Sequence, residues 1–175
     1  MCNSTKEKIA QALRRLMTER SFEKITVQNL MDATQMKRQS FYYHFQDTRD
    51  VLMWICRREV LEPLAASQLG FEEWMLLALE LLSRDRCFYR KLMKAASLDF
   101  IREFDAILEP RMLAMLFPGC TAAQLTVNQY FALDFLTEAA CVRLIRFLND
   151  REPPDPAHVR ERVEYLVRAF ATVKL

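Results

Sequence analysis

Apolar residues recur at helical spacing almost from the start of this chain. In residues 5–20, Ile9, Leu13, Leu16 and Met17 fall on one stripe with charges elsewhere. That pattern predicts an amphipathic helix capped by Ser4 or Thr5. After Ser21 and Phe22, the residues Val27, Leu30 and Met31 repeat at i, i+3, i+4 behind Thr26, a good capping residue, and predict a short second helix. The connection TQM leads into KRQSFYYHF and then QDTRDVLMWICRREVLEPL. Three short helices in close succession, the second and third joined by a tight turn, have the outline of a helix-turn-helix unit.

A longer helix is expected from about residue 48 to the breaker Pro63, followed by helical stretches at roughly 71–83, 86–97 and 99–116. FPGCT (117–121) reads as a loop, 122–149 as a long helix, and REPPDP as a proline-rich connection. Asp155 then caps a last helix with Pro156 in its first turn. Only two glycines occur, Gly70 and Gly119. That scarcity argues against sheet-rich folds and against a glycine-rich phosphate loop. The expected fold is all-α. An N-terminal three-helix helix-turn-helix unit (1–47) is joined, with no floppy linker, to a helical-bundle effector and dimerisation domain (48–175).

Composition changes this picture little. Half of the chain is apolar (51%), enough for a real core. The net charge of +2 is uneven: residues 1–50 carry nine Lys/Arg against six Asp/Glu, and the remainder sixteen against seventeen. Cysteines at 2, 56, 87, 120 and 141 are odd in number with no CxxC pair, so free thiols in a reducing compartment are expected. The N-terminus lacks an apolar signal region and no long apolar run follows, so a soluble cytoplasmic protein without a membrane partner is expected.

The chemistry concentrates in MKRQSFYYHF (36–45). Helical geometry puts Phe41 and Phe45 on one side as an anchor, and Arg38 and Tyr42, with Gln39 and Tyr43 beside them, on another. Arginine suits guanine, glutamine suits adenine, and tyrosine hydroxyls reach phosphate. No acidic residue interrupts 33–46. Lys37 stands where Ser or Asp would normally cap, a broken local rule that a phosphate or base edge would reward.

The stretch ITVQNLMDATQMKRQSFYYHFQDTRDVLMWI resembles the signature of the TetR family of helix-turn-helix transcription regulators, and is similar to its dihydroxyacetone kinase regulator-like branch. The resemblance implies that Thr26 and Gln28, and from the third helix Tyr42 and His44, touch backbone phosphate. Lys37, Arg38, Gln39 and Tyr43 would read bases or adjacent phosphates. The chain departs from the family pattern at Gln35, where glycine is common in the turn, at Lys37, and at Thr48, where a lysine is common.

His44 and His158 are the only histidines and lie far apart, so neither a two-histidine metal site nor a catalytic triad is expected. An enzyme or a cofactor is not expected either. In the helical half, Trp54, Trp74, Phe88, Met93, Phe100, Phe104, Phe131 and Phe135 either line a ligand pocket or form plain core. The last helix carries a narrow seam of Val159, Val163, Leu166 and Phe170. The helix before it has two apolar stripes, one through Leu136 and Ala140 and one through Phe131 and Phe135. Two stripes need two covers, so these helices are expected to form a homodimer interface. The expected function is sequence-specific binding of a double-stranded DNA operator, controlled by a small-molecule effector or, alternatively, by a partner protein.

Overall fold

The computed structural model describes the backbone of residues 2–150 and 155–172, and side chains over 4–150, Asp155 and 157–169. Among the described residues the structure is helical and has no strand. Helix α1 (Cys2–Glu19) buries Ile9, Ala10, Ala12, Leu13, Leu16 and Met17, as its stripe requires. Helices α2 (Val27–Thr34) and α3 (Arg38–Tyr42) follow. Together with α1 they form an N-terminal head whose centre is Leu13, Leu30 and Phe41, all fully buried.

Helix α4 (Thr48–Cys56) does not stop at Pro63 as the sequence suggests. It passes through a π turn (Arg57–Leu61) into α5 (Glu62–Ala66). In an α-helix Pro63 would leave the Glu59 carbonyl without its donor. Here the ladder has already shifted to five-residue bonding, with the Glu62 N–H donating to the Arg57 carbonyl, and the proline is absorbed without a break. Asp47 caps α4 by accepting from the Asp50 N–H at 2.8 Å.

Helix α6 (Phe71–Ser83) leads to α7 (Arg86–Leu116), which replaces the two helices expected at 86–97 and 99–116. The expectation was close, because Ala96 has non-helical backbone angles (φ −146°, ψ 37°) and breaks α7 at that point. Helix α8 (Val127–Asn149) packs along α7, and α9 (Pro156–Thr172) against α6. Thr126 starts α8 with a capping box: its side chain accepts from the Gln129 N–H, and the Gln129 side chain accepts from the Thr126 N–H. The interior of this body is aromatic. Phe100 stacks on Phe104 at 5.3 Å, and Phe104 meets Trp74 at 5.6 Å. Trp74 donates its indole N–H to the Leu64 carbonyl (2.9 Å), and Arg111 lies over its ring at 4.9 Å.

Burial pushes the Cys56 thiol up, and burial, with Asp105 and Glu138, pushes Cys141 up to about 12. Both thiols are therefore unreactive packing groups at neutral pH. No helix of the described residues is long and apolar enough to cross a membrane.

Candidate nucleic-acid interface

Thr26 begins the site. Its hydroxyl accepts from the Asn29 N–H (3.2 Å), and the Asn29 side chain accepts from the Thr26 N–H (3.0 Å), which fixes the start of α2. The helix ends at Gln35 in the left-handed conformation (φ 56°, ψ 33°), with its N–H bonded to the Met31 carbonyl. This is the position where the family pattern has glycine, and glutamine holds the same backbone angle at a steric cost. Gln35→Gly is expected to raise stability by about 0.5–1 kcal/mol, the relief of left-handed strain slightly exceeding glycine's entropic penalty. Urea unfolding reads this, and an unchanged or lower midpoint would show that Gln35 is unstrained.

Lys37 is the N-cap of α3 and makes no side-chain capping bond, so the cation stands at the helix start as its sequence position suggested. Phe41 and Phe45 are buried, 5.9 Å apart, and anchor α3. The opposite face is open: Lys37, Arg38 and Gln39 are exposed, Tyr42 is 51% exposed and Tyr43 82%. Arg38 donates to the Tyr42 hydroxyl (3.2 Å) and lies over its ring at 5.7 Å, so the two form one preset unit. His44 is half-buried, edge-on to Tyr43 at 4.9 Å. Gln28 is exposed and donates one amide N–H to Asp32 at 2.7 Å, and its amide nitrogen carries a second donor that could meet a phosphate. All eight residues singled out on the sequence thus lie on the head, seven of them exposed.

The residues weighed as pocket or core behave differently. Trp74, Phe88, Met93, Phe100 and Phe104 are packed into the continuous core. Trp54 is half-buried and meets Phe45 of the head at 6.0 Å, facing the head and not the interior of the body. Phe131 and Phe135 are 67% and 60% exposed and stack on each other at 6.3 Å. They line no interior, because α8 buries a different stripe: Leu133, Thr137, Cys141, Leu144 and Leu148. Two clefts among the described residues are open and lined mainly by charged and hydroxyl-bearing residues, about 340 and 280 Å³, and none of these eight residues lines either.

On the expected dimer seam, Leu136 and Ala140 are half-buried at the edge of the core, Val159 and Val163 are half-buried, and Leu166 is half exposed. The Phe170 side chain lies outside the described residues.

Sequence reasoning missed what holds the head in place. Arg14 of α1 pairs with both Glu59 and Asp85 and lies over the Phe88 ring at 4.1 Å. Lys91 of α7 donates to the Met17 carbonyl near the end of α1. Arg57 makes a two-pronged pair with Glu103 (2.7 and 2.8 Å), which together with Asp50 raises its pKa. Arg49 reaches Asp99 at 3.4 Å. Arg14 borders the apolar stripe of α1, but no local pattern identifies acids so distant in sequence as its partners.

Residues 9–53 match the family described as "Bacterial regulatory proteins, tetR family". The chain is 30% identical over 90 residues to the HTH-type dhaKLM operon transcriptional activator DhaS of Lactococcus lactis subsp. lactis (strain IL1403). That match takes in 50% of this chain and 48% of the relative, so the chain spans about half the length of the curated protein it matches. A solved structure, the dihydroxyacetone kinase operon activator DhaS, superposes with a TM-score of 0.68 over 94% of both chains at 21% identity, a likeness of fold. The likeness to the tetR family of bacterial regulatory proteins thus falls on the N-terminal head, residues 9–53.

Proposed function

We propose that this chain is a cytoplasmic, sequence-specific DNA-binding transcription regulator, working as a homodimer and controlled through its helical body. The observation that carries the reading is the exposed face of Arg38, Gln39, Tyr42 and Tyr43 on a helix pinned by Phe41 and Phe45. It supplies donors for base edges and hydroxyls for phosphate on an element of the right size for a major groove. Residues 1–47 form the reading unit and 48–175 the controlling one. Both relatives are named as activators, which favours activation as the sign.

A two-fold dimer through α8 is supported by the pattern of that helix. Its exposed face carries Phe131, Asp134, Phe135, Val142, Arg143 and Arg146. These positions are symmetric about the midpoint between Glu138 and Ala139. An antiparallel second copy lays Phe135 on Val142 of the partner subunit, Phe131 on the partner's Arg146, and Asp134 on the partner's Arg143. The acidic end of the face invites such cations: the Asp105 carboxyl is pushed up from its ordinary value by burial, then by Asp134 and Glu138.

Control by a partner protein is favoured over control by a small molecule. The aromatic residues of the body fill its interior, so a ligand would have to displace packed side chains, whereas a protein acts on the surface.

Fluorescence anisotropy with the DNA upstream of the gene tests the reading. Binding should follow a roughly palindromic site and weaken steeply with salt as counterions are released. Arg38→Ala should cost about 1–3 kcal/mol and relax sequence preference at one position of each half-site. Unchanged affinity and preference in Arg38→Ala would refute the recognition-helix assignment.

A further inference from the structure

The start of α7 touches both functional ends of the molecule through two adjacent residues. Asp85 caps α7 by accepting from the Phe88 N–H (3.2 Å) and also takes the Arg14 guanidinium of α1. Tyr89, one turn on, donates to Glu59 (2.8 Å), the other acid on Arg14. Arg86 points the other way. It donates to the Phe147 carbonyl (2.7 Å) and the Asp150 carbonyl (2.6 Å), and its guanidinium lies over the Phe147 ring at 5.7 Å. It therefore caps the C-terminal end of α8, where a cation meets the negative end of the helix dipole. Its Nε is buried and finds no acceptor among the described residues.

The break at Ala96 sets this segment apart from the rest of α7. The part before it holds α1, through Asp85 and Lys91. The part after it holds α4 through Asp99 and the start of the π turn through Glu103. A tilt of the first part moves α1 relative to α4, and α2 and α3 pack onto α1 directly or through each other.

We propose that Asp85 and Arg86 are positioning residues that tie the angle of the reading head to the C-terminal end of α8, and so set the separation of the two recognition helices. This rests on the dimeric DNA-binding reading above. With α8 fixed about the two-fold axis, Arg86 transmits its position to the start of α7, and Asp85 passes it to α1. A protein docking on α8, or a shift in how the two copies cross, thereby changes operator fit without touching the head.

The test measures binding of full-length protein to operators whose half-sites are moved apart or together by one or two base pairs, each turning one half-site by roughly 35°. Two variants are compared with wild type. Asp85→Asn keeps a capping oxygen for α7 and removes the charge facing Arg14. Arg86→Met keeps the bulk and removes both carbonyl bonds. Each is expected to remain dimeric by sedimentation and to bind random DNA as wild type does. Each should lose about tenfold in affinity for the best-spaced operator and accept the altered spacings nearly as well. Arg86→Lys should recover part of the preference. If Asp85→Asn keeps the wild-type spacing profile, the tie is overturned, whatever Arg86→Met does to folding. Equal weakening on every spacing, with a lowered melting temperature, likewise overturns it, as a purely structural role. Wild-type protein that is dimeric but indifferent to spacing overturns the two-half-site reading itself, a distinct result.

Discussion

Phe135→Asp is expected to leave each chain folded, to turn the protein into a monomer at micromolar concentration, and to abolish operator binding. The residue is 60% exposed on a single chain, so aspartate there is solvated and the helix is undisturbed. In the proposed two-fold interface the same carboxylate is buried against Val142 of the partner subunit, where the partner's Arg143 and the partner's Arg146 are already taken up by Asp134 and Phe131. An unpaired buried charge costs about 3–5 kcal/mol, and the symmetry places it twice. The dimer dissociation constant should therefore rise by roughly a thousandfold or more. Each head alone retains only half of the contacts, so two-site affinity is lost with the dimer. Sedimentation equilibrium, circular dichroism and anisotropy read the three effects. Leu133→Asp, two residues away on the opposite, buried face of α8 and 1% exposed, should unfold the chain, which separates loss of assembly from loss of fold. A folded, dimeric Phe135→Asp protein would remove α8 from the interface.

That prediction uses residues whose position could not be assigned on the sequence. The 3.6-residue period showed that α8 has two apolar stripes, but not which stripe its own body covers. That depends on how α7 presents Phe104 and Leu108, a tertiary fact. Phe131 and Phe135 therefore stood among candidate pocket residues and are found on the surface. Local rules served better where structure is local. The stripe of α1, the capping by Thr26 and Asp155, and the anchor pair Phe41 and Phe45 all follow from spacing and short-range hydrogen bonds. Pro63 misled because the rule for proline assumes four-residue bonding, and the π turn before it changes the register. The salt-bridged seam between head and body was illegible for a third reason. Arg14 and Asp85 are 71 positions apart, and charged residues on a helix face give no hint of distant partners.

Trp74→Ala tests the claim that the body is filled, and it is expected to be the most destabilising single change in the helical half. Trp74 is fully buried between Phe104 and Arg111, and its indole N–H satisfies the Leu64 carbonyl. Truncation removes the largest buried side chain of the body and leaves a cavity that the stacked Phe100 and Phe104 are poorly placed to collapse into. Large-to-small changes of this kind cost about 3–5 kcal/mol. The lost hydrogen bond adds little, because Arg111 also donates to the Leu64 carbonyl at 3.3 Å and keeps it paired. Most domains have only about 5–15 kcal/mol to lose, so the variant should melt far below wild type. The void should also take up indole or benzene, as dry apolar cavities do, and recover part of the melting temperature in their presence. Wild type should show no such shift. If wild type were stabilised by the same compounds, the interior would hold room for a ligand and the small-molecule form of control would return. If Trp74→Ala cost less than about 1 kcal/mol, the packing described around Trp74 would be wrong.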